Sequence, residues 1–183
     1  MKYYFLRVNG ASLHNDPKNK ECFVANEPIE FKGNGYSNYL GYCFANNIVR
    51  MGWPDVGDLR AGNRLGARAN CYNLSTLPTH IQTYLLTFKD IQLGSILLVP
   101  DRDHSGNIFI CEVVKPYWFD PSDPYECAHR LGVIWDRDNQ NHPILHNNVQ
   151  LGIVIGGWWL RAFHEIDRID IISKIEVARK IAN

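Results

Sequence analysis

The sequence predicts an α+β domain in which a small, twisted, mixed or antiparallel β-barrel is flanked by helices. Strand-forming runs are concentrated in residues 94–135, where two runs rich in β-branched and aromatic residues enclose a polar turn and a third run follows. An aromatic segment between the second and third runs predicts a pocket at one rim of the barrel. Apolar residues recur at helical spacing in residues 75–88 and 170–181, which predicts the flanking helices.

The central hairpin is predicted from its composition. Residues 96–99 form the first run, residues 101–107 are a turn rich in Asp, Ser, Gly and Asn, and residues 108–114 form the second run. Because Pro116 has no N–H to donate, we expect it to end regular pairing before the aromatic segment. The alternation of large and small residues in 129–136 predicts a third strand.

Before the hairpin, residues 2–8 are rich in β-formers and predict a first strand. Residues 36–49 are ambiguous, because their apolar spacing approximates a helix while the β-branched end permits a strand. We expect a loop or short helix first and then a strand through 48–51. Residues 75–88 predict a helix with Pro78 in its first turn.

After the hairpin, residues 136–148 predict a polar connection and residues 149–155 a strand. Residues 158–166 fit a helix, and so do residues 170–181. The sequence contains no internal repeat, low-complexity segment or interdomain linker. We therefore expect residues 1–183 to form a single domain, with a C-terminal helix at about 168–182 packing on the barrel.

The charge and cysteine totals limit the classes of partner. Nineteen basic residues balance nineteen acidic ones, so any binding of nucleic acid must depend on a local patch. The five cysteines include no CxxC pair, which argues against structural zinc. The sequence shows neither a signal peptide nor an apolar run of membrane-spanning length. We expect a cytoplasmic protein with reduced cysteines, no membrane partner and no cofactor or metal.

Three segments carry a resemblance to a known family. They are a glycine–tryptophan segment at 48–59 (IVRMGWPDVGDL), a hairpin at 94–99 and 110–113 (GSILLV and ICEV), and a strand at 125–135 (YECAHRLGVIW). These segments resemble the PUA-like superfamily, particularly its EVE and YTH-like branch of modified-base readers, some of which are fused to methyl-directed restriction enzymes. The resemblance implies a twisted β-barrel that accepts a flipped, modified base of DNA or RNA in an aromatic pocket. It also implies a role in restriction or defence, in which a separate nuclease acts as a partner.

Such a pocket has defined chemical needs. A base that leaves the stack recovers roughly 1–3 kcal/mol on the face of an aromatic side chain. A methyl group adds about 0.8 kcal/mol when it is buried. The base edge needs polar groups, and the flanking phosphates need Arg or Lys.

The segments of the resemblance and the aromatic loop supply candidates for each role. The predicted base pocket consists of Asn47, Trp53, Asp55, Tyr117, Trp118 and Tyr125, and the predicted phosphate-binding residues are Arg50, Arg60, Arg64 and Arg130. Trp53 is the first stacking candidate because Gly52 and Pro54 would hold it on a rigid turn. The aromatic candidates fit a hydrophobic core equally well, and Asp58 could read a base edge or cap the segment that begins at Leu59. The role of the adjacent Trp158 and Trp159 is left open.

Two other functions remain open, although we expect binding without catalysis. Asp101, Asp103 and Glu112 could serve a metal-dependent nuclease or another hydrolase. Alternatively, the same barrel could bind a protein or a small molecule, which the balanced charge permits.

Overall fold

The structure is a computed structural model that describes residues 1–6, 38–51, 56–61, 74–100, 107–122, 128–147 and 163–182. The helices and strands in these ranges, in chain order, are β1 (Tyr3–Leu6), α1 (Asn38–Asn46), β2 (Ile48–Met51), α2 (Thr79–Lys89), β3 (Ile96–Pro100), β4 (Asn107–Phe119), β5 (His129–Trp135), β6 (His146–Asn147), β7 (Phe163–Ile166) and α3 (Ile169–Ala182). Short 3₁₀ turns lie at Leu59–Ala61 and Leu74–Thr76. None of the described helices is both long and apolar enough to cross a membrane.

The strands form one sheet in the order β2-β5-β4-β3-β1-β7, and β6 pairs with β4. The β1–β3 pair is parallel, and the other pairs are antiparallel. The α+β class is therefore confirmed, but the predicted barrel is wrong. A barrel requires its first and last strands to pair, and no pairing joins β2 to β7 within the described part of the chain.

Both faces of the sheet are covered by apolar packing. On the first face, Val113 and Leu131 belong to a core that also contains Leu40 of α1 and Phe88 of α2. On the second face, Ile110 packs with other strand residues and with the buried residues of α3, which are Ile171, Ile175 and Ala178. Successive residues of a strand point to opposite faces, so alternate positions of β4 contribute to the two cores.

Several elements match the predictions. The strands β2, β3 and β5, the beginning of β4 and the helices α2 and α3 are confirmed, and the residues before β2, for which a loop or a short helix was expected, form the helix α1. Pro78 is the N-cap residue of α2 and therefore lies just before the first turn, in which it was predicted. The predicted strand at 149–155 lies outside the described residues.

The predicted helix at 158–166 is wrong for its last four residues. Phe163–Ile166 form β7, which pairs antiparallel with β1 and places Phe163 opposite Leu6. Phe163 and Ile166 are buried, while the two residues between them are partly or fully exposed. Pairing with β1 therefore decides the conformation of a stretch whose apolar spacing also fits a helix. Residues 158–162 lie outside the described part of the chain.

The strand β4 continues through Pro116, contrary to the prediction that pairing ends there. Its register against β5 places Val113 opposite Val133, Lys115 opposite Gly132 and Trp118 opposite Arg130, with shifts in both intervals. Each interval contains one more residue on β4 than on β5, which is the definition of a β-bulge. A proline without an N–H is tolerated at a bulge, so the ladder resumes at Trp118.

The two bulges determine which side chains share a face. In a regular strand, residues three apart point to opposite faces. Here, Lys115 and Trp118 lie opposite Gly132 and Arg130, which are themselves two residues apart on β5. Lys115 and Trp118 therefore lie side by side on the second face.

Candidate functional site

The candidate site lies where β2, β5 and β4 run side by side. Arg50 of β2 and Trp118 of β4 are both register partners of Arg130 on β5. Directly opposite residues point to the same face of a sheet, so the three side chains form one row across it. The fold thus unites two of the predicted phosphate-binding arginines with one of the predicted pocket aromatics.

Trp118 carries a cation on its ring. The Lys115 ammonium lies 4.3 Å from the ring centroid, which is a cation–π contact. Trp118 is partly buried, and Lys115 is exposed. A Cβ atom built on Gly132 would lie 2.5 Å from the Lys115 Cβ, so the lysine stem packs directly against the β5 backbone.

Arg130 is 8% exposed and forms an ion pair. Its Nη1 lies 2.6 Å from Asp120 Oδ2. Asp120 Oδ1 accepts hydrogen bonds from the Ser122 N–H at 3.0 Å and the Ser122 hydroxyl at 2.6 Å. The Ser122 hydroxyl, and to a lesser extent the Arg130 charge, hold the pKa of Asp120 below its usual value. Arg130 is therefore already neutralised by a fixed carboxylate.

Arg50 has no exposed surface. Its guanidinium carbon lies 4.3 Å from the centroid of the Tyr42 ring, on the helix that precedes β2. A buried guanidinium cannot reach a phosphate in solvent without rearrangement. In this structure Arg50 is the fully buried member of the row that it forms with Arg130 and Trp118.

Arg60 differs from the other two arginines because it is exposed. Its Nη2 lies 2.6 Å from Asp58 Oδ2 and its Nε lies 3.0 Å from Asp58 Oδ1. Asp58 Oδ1 also accepts the Arg60 backbone N–H at 3.0 Å, so Asp58 caps the 3₁₀ turn at Leu59–Ala61. These bonds from Arg60 hold the pKa of Asp58 below its usual value. The cap role that the sequence allowed for Asp58 is the one that the structure shows.

Tyr117 faces the core rather than solvent. Its ring is 5% exposed, and its hydroxyl lies 2.8 Å from His129 Nδ1 and accepts the Leu59 N–H at 3.2 Å. Burial raises the pKa of the Tyr117 hydroxyl. The ring packs edge-on against Phe88 and lies nearly parallel to the His129 ring. Tyr117 thus fixes the Leu59–Ala61 turn to the sheet, on the face opposite Trp118.

Asn47 is fixed by the end of α1. It adopts a left-handed φ of 51°, and its carbonyl accepts the Val133 N–H at 2.8 Å. The Arg137 guanidinium donates to the Phe44 carbonyl at 2.9 Å and to Asn47 Oδ1 at 3.3 Å. Asn47, a predicted base-pocket residue, thus has Arg137 as a structural partner of its amide oxygen.

The remaining predicted site residues lie outside the described part of the chain. These residues are Trp53, Asp55, Arg64 and Tyr125. Conversely, the sequence analysis missed the contribution of Lys115 and Gly132 to the surface around Trp118. A proline inside a strand-forming run is a signal for a bulge, and it could have indicated that Lys115 and Trp118 share a face.

A second ionic cluster lies on the same face of the sheet. Arg179 of α3 contacts Glu112 Oε2 at 3.0 Å, Asp136 Oδ2 at 3.4 Å and Glu176 Oε1 at 3.9 Å. Tyr3 donates its hydroxyl to Glu176 at 2.9 Å. Burial raises the pKa of Asp136.

The second cluster bears on the hydrolase alternative. Glu112, which that alternative used as a metal ligand, is held by Arg179. Among the described residues no group of three or more His, Cys, Asp and Glu side chains could hold a metal ion. Asp101 and Asp103 lie outside the described ranges.

Comparison with known proteins gives a family match and distant structural likenesses. No curated protein matches the sequence. The structure is similar to the YTH domain of the Zygosaccharomyces rouxii MRB1 protein, solved in complex with N6-methyladenosine RNA, with a TM-score of 0.47 and 12% sequence identity over 97% of this chain and 86% of that chain. Residues 29–154 match the family described as "Domain of unknown function (DUF8426)", and the chain therefore belongs to this family.

Proposed function

We propose that this domain binds DNA or RNA at the end of the sheet around Trp118, and that it holds a modified base there. The observation that carries the proposal is the pairing of an aromatic ring with a cation on one face. Trp118 is partly exposed, has the Lys115 ammonium 4.3 Å from its ring centroid and shares a row with Arg130. Stacking on an aromatic face together with a nearby cation is the combination that single nucleotides need.

The chain connectivity supports a pocket at this end. The chain leaves β2 at Met51 and β4 at Phe119, and both residues are register partners of His129. The predicted pocket segments with Trp53, Asp55 and Tyr125 are therefore joined to the sheet at the same end as Trp118. In our proposal these three residues complete the pocket, with a ring to stack on and a carboxylate for the base edge.

The balanced charge of the chain shapes the proposal. Two of the predicted phosphate-binding arginines are matched by carboxylates, since Arg60 pairs with Asp58 and Arg130 with Asp120. We therefore propose that few phosphates are bound and that stacking supplies most of the affinity. In this reading Arg64 and Arg60 lie at the rim, and Arg50 and Arg130 support the strand that carries Trp118. The salt dependence of binding is then shallow compared with that of a basic duplex-binding protein.

The biological setting follows from the resemblance to modified-base readers. We propose a recognition module of a cytoplasmic restriction or defence system that reads a methylated base and works with a separate nuclease. The chemistry proposed for this chain is binding without catalysis.

The test is fluorescence anisotropy with short labelled oligonucleotides of DNA and RNA, single-stranded and duplex. Each is used unmodified and with one N6-methyladenine or 5-methylcytosine. We expect one modified strand to bind more tightly than its unmodified counterpart. Replacing Trp118 by Ala should weaken that binding about tenfold, which corresponds to about 1.4 kcal/mol of lost stacking.

The controls separate stacking from damage to the fold. Trp118→Phe keeps an aromatic face and should retain most of the affinity, while Ile169→Ala changes a residue that is 75% exposed on α3 and should have no effect. If no strand binds at low salt, the proposal is wrong, and the protein- or small-molecule-binding alternative takes first place. Binding that Trp118→Ala leaves unchanged would place the base elsewhere on the domain.

A further inference from the structure

We infer that Lys115 changes partners when nucleic acid binds: its ammonium covers the Trp118 ring in the free protein, and an incoming base displaces it onto the adjoining phosphate. The inference rests on the proposed function and assigns a role to a residue that the sequence analysis left out of the site. It describes the position of the Lys115 ammonium both in the free protein and in the complex.

The first step concerns the space above the ring. The Lys115 ammonium lies 4.3 Å from the centroid of the Trp118 ring. A stacked base places its atoms about 3.5–4.0 Å above the ring carbons. The ammonium and a base therefore cannot occupy this face together, and stacking here requires the ammonium to leave.

The second step concerns access to this face. Lys115 is exposed, and Trp118 is partly exposed. An exposed ammonium that covers one face of the ring identifies that face as the one toward solvent. Departure of the ammonium therefore uncovers an aromatic surface that a base can reach from outside.

The third step concerns which cation is available for a phosphate. Arg60 and Arg130 each have a carboxylate oxygen within 2.6 Å, and Arg50 is fully buried. Within the described part of the chain, no carboxylate forms an ion pair with Lys115. A phosphate that meets Lys115 therefore competes only with the weak attraction of the ring, and not with a fixed anion.

The fourth step concerns how far the ammonium can move. The Lys115 stem packs on the backbone at Gly132, where an added Cβ would lie 2.5 Å from the lysine Cβ and 3.4 Å from its Cγ and Cδ. With the stem held, the ammonium swings only about the outer bonds of the side chain. The phosphate that it reaches is therefore one directly beside the stacked nucleotide.

The experiment follows the lysine itself by NMR on the full chain labelled with carbon-13 lysine. In the free protein we expect the Lys115 ε-methylene signal to be shifted upfield by the Trp118 ring current. The signal is assigned by its loss in Lys115→Arg, and the ring current by its return to the usual position in Trp118→Leu. Titration with a short single-stranded oligonucleotide carrying one N6-methyladenine, as RNA and as DNA, should return the wild-type signal to the usual position.

A second readout tests the contact with the phosphate. Lys115→Met keeps the length of the stem and removes the charge. We expect it to weaken binding about threefold to tenfold and to reduce the slope of log affinity against log salt by about 0.7, the value for one phosphate of a single strand.

The outcomes separate this inference from the proposed function. Binding that depends on Trp118 while the Lys115 signal stays upfield at saturation would overturn the exchange and leave the proposed function standing. An unchanged salt slope in Lys115→Met would do the same. Absence of any binding would overturn both.

Discussion

Two regions on the second face of the sheet use the same kinds of side chain with different results. Around Arg179, one guanidinium on α3 is within 4.0 Å of carboxylate oxygens from Glu112, Asp136 and Glu176. Around Trp118, Lys115 rests on an aromatic ring instead of an anion. In the first region the cation is paired with carboxylates, and in the second region the cation is available to a ligand. A chain with a net charge of zero can therefore still present a local positive group where an aromatic ring is accessible.

The difference also separates structural from binding roles. The Arg179 cluster joins the C-terminal helix to β4 and to the residue that follows β5, so its charges are internal to the fold. In the Trp118 region the cation is exposed and contacts an aromatic ring. We therefore expect substitutions in the first region to change stability, and substitutions in the second to change binding.

The largest expected effect is on stability and comes from Arg179→Met. Removing the guanidinium leaves Asp136 buried beside Glu112 without its counter-charge, which should lower the free energy of unfolding by about 3 kcal/mol. Urea unfolding followed by circular dichroism measures the change. Arg168→Met is the matched control, because the Arg168–Asp170 pair is exposed on both sides and its loss should change stability by less than about 0.5 kcal/mol. Equal losses of unfolding free energy in the two variants would show that the Arg179 cluster contributes no more to stability than an exposed ion pair.

The pH dependence of the Arg179→Met defect sharpens this prediction. Burial raises the pKa of Asp136 in the folded protein, and Arg179 opposes that rise. The folded state then binds the Asp136 proton more tightly than the unfolded state, so this group favours folding at low pH and loses that contribution as the pH rises through the folded pKa. Without Arg179 the pKa rises further. The difference in unfolding free energy between wild type and Arg179→Met should therefore shrink as the pH is lowered from neutral into the acid range. Parallel urea titrations at several pH values measure this difference. A difference that grows toward low pH would contradict the prediction.

A smaller effect is expected at the glycine beneath the Trp118 region. Gly132→Ala places a methyl group 2.5 Å from the Lys115 Cβ, so the bulged strand must shift. We expect a loss of about 1–2 kcal/mol in unfolding free energy, because overpacking outweighs the entropy gained over glycine. Oligonucleotide binding should weaken at the same time. Ile134→Ala, at a residue of β5 that is 61% exposed, is the control and should change neither quantity.

The smallest effect on stability is expected from Lys115→Met. An exposed cation–π contact contributes about 0.5–1 kcal/mol, and the methionine stem retains part of the packing on Gly132. Thermal unfolding should therefore show a loss of no more than about 1 kcal/mol, although oligonucleotide binding weakens. A loss as large as that of Arg179→Met would mean that Lys115 is structural, and the comparison between the two regions would fail.

The sequence predicted the parts of the fold that depend on local composition. The hairpin of β3 and β4 was predicted from two β-branched runs and a polar turn, and α3 from apolar residues at helical spacing. The sheet order could not be obtained this way, because the parallel pairing of β1 with β3 joins segments about 90 residues apart. The barrel was wrong for a related reason: whether the first and last strands meet depends on pairings that no local pattern encodes.

The residue types of the candidate site could be chosen from the sequence, but their arrangement could not. The sequence analysis selected Trp118 and Arg130 without knowing that they are register partners. Arg50 was expected to contact a phosphate and Tyr117 was left open between the pocket and the core, whereas both are buried, because residue type alone does not reveal which face of a strand a side chain occupies. Lys115 was missed because its face depends on a bulge, and because Pro116 was expected to end regular strand pairing.

The two bulges of β4 have opposite effects on which face of the sheet the following side chains occupy. From Val113 onward, an unbroken alternation would place residues 115, 117 and 119 on the first face. The first extra residue reverses that assignment and the second restores it, so Tyr117 still reaches the core while Lys115 is turned to the opposite face. Lys115 alone is moved to the second face, and the buried residues before and after it on β4 keep their places in the core. Sequence change at position 115 can therefore alter the surface proposed to bind nucleic acid while the core of the domain remains the same.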